Sequence, residues 1–97
     1  MKKLTIAIIA AIGLTAAIEA TADNPCEELH QLATTVMQAR QNGAAMPEMM
    51  RIASDNPLAR AIVQDAYNAP RFSTREYQQR ETEDFANTVY AECLKHF

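Results

Sequence analysis

Glycine is scarce in this sequence, and Gly13 and Gly43 are the only two among its 97 residues. A loop that cradles phosphate groups needs several glycines close together, so the chain excludes a P-loop and a dinucleotide-binding turn. Ser54 and Ser73 lie where helix-end residues are expected, and neither is in a G-x-S-x-G pattern. With no catalytic constellation, we expect a non-enzymatic protein without a cofactor.

Positive charge is also limited. The chain has 9 Lys and Arg residues against 12 Asp and Glu residues, which gives a net charge of −3 at pH 7. Proteins that bind nucleic acid need a basic face to neutralise phosphates. The acidic balance therefore argues against a nucleic-acid partner.

The first 22 residues have the three parts of a secretory signal. Lys2 and Lys3 form a basic head, residues 4–17 are almost wholly apolar, and Ala20-Thr21-Ala22 is an A-x-A exit. This order predicts that residues 1–22 are a signal peptide, cleaved before Asp23. Residues 23–97 would then form one domain, in the periplasm or outside the cell.

Two other interpretations of the same segment fit less well. A membrane anchor needs about 20 apolar residues, whereas this run ends at Ile18 and is followed by Glu19. A lipoprotein signal places its cysteine against the apolar run, whereas Cys26 follows Asp-Asn-Pro. We therefore expect no stable membrane insertion after cleavage.

Cysteine occurs only twice, at Cys26 and Cys93, so one intramolecular pairing exists. Small exported domains commonly need a covalent staple. This bridge would close nearly the whole domain and contribute about 4 kcal/mol by the loop-entropy estimate. The alternative is a redox or metal-binding thiol pair, but the chain has no C-x-x-C motif, so we favour the structural bridge.

Helix boundaries are marked by proline, asparagine and glycine. Starts are predicted at Pro25, Pro47 and Pro57. The first helix should end at Asn42-Gly43, because helices commonly end with a residue in the left-handed conformation, which glycine adopts readily. Ser73-Thr74-Arg75-Glu76 has the pattern of a capping box and should open a last helix that runs to about residue 95.

Each predicted helix has an apolar face at spacings of three and four, and no stretch alternates like a strand. The faces are Cys26, Leu29, Leu32, Ala33, Val36 and Met37; Met49, Met50, Ile52 and Ala53; Leu58, Ala61, Ile62, Val63, Ala66 and Tyr67; and Phe85, Ala86, Val89, Tyr90, Cys93, Leu94 and Phe97. We predict an all-α, disulfide-stapled bundle of three to four helices. The first and last helices should be antiparallel, because this places the two cysteines side by side.

Two groups of residues could bind a metal. Glu27-x-x-His30 has the spacing of half a di-iron motif, but the second copy that such a site needs is missing, so we expect no metal there. Methionines cluster in Met46–Met50. Methionine fills irregular core space, makes adaptable binding surfaces and can hold Cu(I). Core packing is favoured, and the other two uses stay open.

Arginine and aromatic residues cluster at the start of the last helix. The residues are Arg71, Phe72, Arg75 and Tyr77, which we call the arginine–aromatic surface. Both residue types are enriched among interface anchors, so this is the candidate partner surface. The alternative is a solvated loop whose Phe72 tucks under the last helix.

Four segments carry a family resemblance: C-E-x-L at 26–29, A-x-x-V-M-x-x-R-Q-x-G at 33–43, A-Y-x-x-P-R-F at 66–72 and F-A-x-x-V-Y-x-x-C at 85–93. The pattern resembles small exported, two-cysteine helical proteins of unknown function from proteobacterial and prophage genomes. The resemblance implies a bacterial envelope setting with a phage link.

These observations predict a non-enzymatic periplasmic protein-binding module. Its partner would be an envelope or periplasmic protein, and its role that of an inhibitor, an immunity factor or an exclusion factor. A periplasmic chaperone and a methionine-based copper-binding protein are the alternatives.

Overall fold

The computed structural model describes residues 25–96, which form four α-helices and no strand. The helices are α1 (Pro25–Gln41), α2 (Met46–Ala53), α3 (Pro57–Asn68) and α4 (Arg75–Leu94). Helix α1 packs along α4 and also against α3, and α2 packs on α3. The predicted all-α bundle is confirmed. The predicted signal peptide at 1–22 and Phe97, from the predicted apolar face of the last helix, lie outside the described residues.

The staple is present as predicted. Cys26, in the first turn of α1, is bonded to Cys93, in the last turn of α4, with a Cα–Cα distance of 5.5 Å. Both cysteines are buried. The bond therefore fixes the start of α1 to the end of α4 across 67 residues of sequence.

Helix α1 ends as its sequence predicts. Gly43 has φ +94, and its N–H donates to the carbonyl of Arg40 at 3.1 Å. The N–H of Ala44 donates to the carbonyl of Ala39 at 2.9 Å. These two bonds form a Schellman motif, in which glycine supplies the left-handed residue.

The sequence predicts the start of α3 correctly and the start of α4 one residue too early. The Asn56 side chain accepts from the N–H groups of Leu58 and Ala59, both at 3.0 Å, so the predicted start of α3 is confirmed. The predicted capping box at Ser73 is wrong by one residue. Thr74 is the cap, and its hydroxyl accepts from the N–H of Tyr77 at 3.3 Å. The third helical position is therefore Tyr77 and not Glu76.

The core lies where α1 faces α3, with α2 and α4 closing it. Its members are Ala33, Val36, Met37, Met49, Ala53, Ala59, Ile62, Val63, Ala66 and Ala86. Four residues of the predicted apolar faces are exposed instead, namely Ile52 (71% exposed), Leu58 (51% exposed), Leu94 (50% exposed) and Ala61. In α3 the small Ala59 faces inward in place of Leu58. A small side chain here suits a helix that packs against both α1 and α2.

Candidate functional site

In the arginine–aromatic surface the rings of Phe72 and Tyr77 meet, whereas the Arg71 side chain turns back to Gln41 and Arg75 adjoins them in sequence. Arg71 and Phe72 lie in the loop before α4, Arg75 is its first residue and Tyr77 is in its first turn. The Phe72 and Tyr77 rings lie 5.9 Å apart between centroids, at an interplanar angle of 36°. Tyr77 is 50% exposed and Phe72 is half-buried. Phe72 is thus the inner ring and Tyr77 the outer ring of an aromatic pair.

A third arginine belongs to this surface and was missed from the sequence. The Arg80 guanidinium lies 5.4 Å from the centroid of the Tyr77 ring, within range of a cation–π contact. It also pairs with the Glu76 carboxylate, four residues earlier on the helix, at 3.4 Å. The spacing of three residues between Tyr77 and Arg80 on one helix was the available signal.

Gln41 holds the loop before α4 in place. Its side chain is buried, with 2% of the residue exposed. Its Oε1 accepts from the N–H of Phe72 at 2.8 Å, and its Nε2 donates to the carbonyl of Pro70 at 2.9 Å and to the Met37 sulfur at 3.4 Å. One glutamine therefore satisfies the backbone on both sides of Arg71.

Arginine side chains complete the attachment of this loop to α1. Arg71 Nε donates to the backbone carbonyl of Gln41 at 3.1 Å. Arg40 donates from Nε and Nη2 to the carbonyl of Ala69 at 3.3 and 3.1 Å. Hydrogen bonds to charged groups are the stronger ones in proteins. The surface is thus carried by a loop that is fixed before any partner binds.

Tyr67 joins α3 to the segment between α1 and α2. Its hydroxyl donates to the carbonyl of Ala44 at 2.7 Å, and the Arg40 guanidinium lies 5.2 Å from its ring centroid. Burial raises the pKa of the Tyr67 hydroxyl; the Arg40 charge lowers it in part, and the Glu48 charge adds to the rise. The neutral, hydrogen-bond-donating form is therefore favoured in the folded protein.

A polar groove adjoins the arginine–aromatic surface and runs between α1 and α4, with a volume of about 360 Å³. It is lined by Thr34, Gln38, Gln41 and Asn42 on one side and by Arg75, Gln78, Gln79, Thr82 and Glu83 on the other. Arg75 belongs both to this groove and to the arginine–aromatic surface. Gln78 joins them too, because its Nε2 donates to the carbonyl of Phe72 at 2.7 Å.

An apolar groove of about 260 Å³ lies between α1, α2 and α3. Its walls include Leu32, Val36, Met49 and Val63, and Ile52 lies at its edge. Sequence periodicity identified these residues as members of apolar faces, and Ile52 is the exposed one among them. The groove is the second surface that could receive a partner.

The methionine cluster is used in packing. Met49 is 7% exposed and belongs to the core, and Met46 and Met50 are half-buried and pack against it. Within residues 25–96, no three His, Cys, Asp or Glu side chains lie close enough together to hold a metal ion. Copper binding and chaperone activity stay predictions of the sequence.

The His30 region lies beside the staple. His30 Nε2 is 3.2 Å from the Asn87 side-chain oxygen, and the His30 ring meets the Tyr90 ring edge-on at 6.0 Å between centroids. These contacts join α1 to α4.

Of the helices in the described part, α1, α2 and α3 are too short to cross a bilayer, and α4 is too polar.

Comparison of the chain with known protein families, curated proteins and solved structures finds no match. The resemblance to small exported two-cysteine proteins therefore stays a prediction.

Proposed function

We propose that this protein is a non-enzymatic binding protein of the bacterial envelope that acts by occupying a surface of another protein. An inhibitor, an immunity factor or an exclusion factor with a phage link would work in this way. The signal-like segment at residues 1–22 supports an exported protein, and the Cys26–Cys93 bond is compatible with an oxidising compartment.

The observation that carries the proposal is the partly exposed aromatic pair of Phe72 and Tyr77 with its neighbouring arginines. The Tyr77 and Phe72 rings meet in a tilted arrangement, Arg80 lies over the outer ring, and Arg71 and Arg75 adjoin the pair in sequence. Tyrosine and arginine are the residue types that dominate binding energy at interfaces. Because Gln41 already fixes the loop, a partner would not have to supply the cost of ordering it.

The charge of this surface indicates what the partner should offer. Arg71, Arg75 and Arg80 are exposed, and Glu76 is the acidic residue among them. A partner with an acidic face around an apolar pocket for Tyr77 would match both features. Charge complementarity of this kind mainly raises association rate and specificity.

The test uses the oxidised mature protein, residues 23–97, as bait in an envelope extract, followed by mass spectrometry and purification of the captured partner. Tyr77→Ala should weaken binding of that partner by at least about tenfold, as expected for an interface anchor. Leu94→Ala is the matched control, since Leu94 lies on the same helix and is also 50% exposed. Equal binding by both variants would contradict the proposal.

Arginine gives a second matched pair. Arg71 and Arg60 each donate one hydrogen bond to a backbone carbonyl, to Gln41 and to Ser54 respectively, both at 3.1 Å. Each alanine substitution therefore removes one hydrogen bond, and only Arg71→Ala should weaken binding of the partner. Loss of binding in both variants would indicate a folding effect.

A further inference from the structure

The polar groove between α1 and α4 contains side chains that the fold does not use. Gln38, Asn42 and Arg75 line it, and none of their side chains makes a hydrogen bond or an ion pair with another described residue. Primary amides and a guanidinium group present several donors each, and the amides also present an acceptor. The groove is therefore supplied with hydrogen-bonding groups that only an external ligand or solvent can satisfy.

Charge is distributed unevenly along this groove. Arg75 lies at one end, and Glu83 lies eight residues further along α4. At 1.5 Å per residue, the two positions are about 12 Å apart along the helix axis. Between them, Gln79 donates to the Glu83 carboxylate at 3.3 Å and leaves its own carbonyl oxygen available. The groove thus has a cationic end, an amide-rich middle and an anionic end.

We propose that this groove binds an extended segment of the partner protein, with an acidic residue opposite Arg75 and a basic residue about four positions away opposite Glu83. An extended chain advances about 3.3 Å per residue, so four residues span the distance between the two charges. The amide side chains can pair with the N–H and C=O groups of such a backbone. The inference rests on the proposed function, because the groove shares Arg75 with the arginine–aromatic surface.

A glycan is the competing occupant of a groove rich in amides. It fits the observations less well, because neutral hydroxyl groups would leave the two charged ends unmatched. Moreover, no aromatic side chain lines this groove to stack on the face of a sugar ring. A peptide uses both the charges and the amides.

The experiment titrates the mature protein with two blocked pentapeptides, DSSSK and its reverse KSSSD, and follows the side-chain amide signals of Gln38, Asn42 and Gln79 by NMR. Wild-type protein should bind one order at least about fivefold more tightly than the other. The double variant Arg75→Glu with Glu83→Arg should invert that preference. Both residues are exposed, and a glutamate at the first position of α4 is favourable to the helix, so the fold should be kept.

The matched control exchanges a pair outside the groove. Glu92→Lys with Lys95→Glu keeps an i, i+3 ion pair near the other end of α4 and should leave the peptide-order preference unchanged. Equal binding of both peptides, or a preference that the Arg75/Glu83 exchange does not invert, would overturn the inference. So would a tetrasaccharide of N-acetylglucosamine that shifts these amide signals when neither peptide does. Failure here with Tyr77-dependent capture intact would leave the proposed function standing.

Discussion

The two sides of α1 are built by different means. On the side that faces α2 and α3, the chain buries larger apolar side chains, including Val36, Met49, Ile62 and Val63. On the side that faces α4, the buried residues of α4 are small, namely Thr82, Ala86 and Cys93. Residues 36 and 38 of α1 lie about 200° apart around the helix, so the apolar and polar grooves occupy opposite faces.

This difference indicates which side of α1 is available for binding a partner. Apolar burial contributes most where α2 and α3 pack. The α4 side combines packing of α1 along α4, where Ala86 belongs to the core, with the Cys26–Cys93 bond at one end and the hydrogen bonds of Gln41 at the other. The outer face of α4 stays exposed and carries the polar and aromatic residues that a partner could contact.

Loss of the staple should have the largest effect. Cys26→Ser with Cys93→Ser should lower the free energy of unfolding by about 4 kcal/mol, because the bond closes a 67-residue separation. Urea denaturation of the oxidised protein and of the double variant measures it. An unchanged midpoint would show that the α4 side is held by packing alone.

The apolar side should respond next most strongly. Ile62→Ala should cost about 3 kcal/mol, because Ile62 is 4% exposed and its loss leaves a cavity. Leu58→Ala on the same helix should cost less than about 1 kcal/mol, since Leu58 is 51% exposed. Thermal denaturation compares the two, and equal losses would contradict the assignment of Ile62 as the inward residue.

Gln41 should show an intermediate effect with a second consequence. Gln41→Ala should cost about 2 kcal/mol, because the Phe72 N–H and the Pro70 carbonyl lose their partner. Partner binding should weaken as well, since the loop is released. Gln38→Ala, one turn earlier and exposed, should keep the stability of the wild type. If Gln41→Ala matched that control, the loop would not depend on this side chain.

The smallest effect concerns pH. The folded protein holds the Tyr67 proton more tightly than the unfolded chain, because burial raises its pKa above the usual value of about 10. Above that value the unfolded chain loses the proton first, so the free energy of unfolding should fall as pH rises further. Tyr67→Phe should remove this part of the decline. The free energy of unfolding of both proteins is measured from pH 8 to about 11, and equal slopes would refute this prediction.

Local sequence predicted the helix ends because proline, asparagine and glycine act within a few residues of where they stand. Asn56-Pro57 and Gly43 are examples. The staple was also predictable, since two cysteines allow one pairing. Ile52 and Leu58 were misplaced because helical spacing identifies an apolar face without saying which neighbour covers it.

The role of Gln41 could not be predicted because its partners are about 30 residues further along the chain. One signal was available. Gln41 lies four residues after Met37 and eight after Ala33, so it continues the buried face of α1. A polar residue in that register needs hydrogen-bond partners, and a nearby loop is the usual source.

The central claim is that the α4 side binds the partner while the apolar side holds the fold. Calorimetric titration of the captured partner with Tyr77→Ala and with Ile52→Ala tests it directly, because each residue is the exposed apolar feature of its own surface. The account predicts at least about tenfold weaker binding for Tyr77→Ala and less than about twofold for Ile52→Ala. The reverse result would assign binding to the apolar groove and contradict the account.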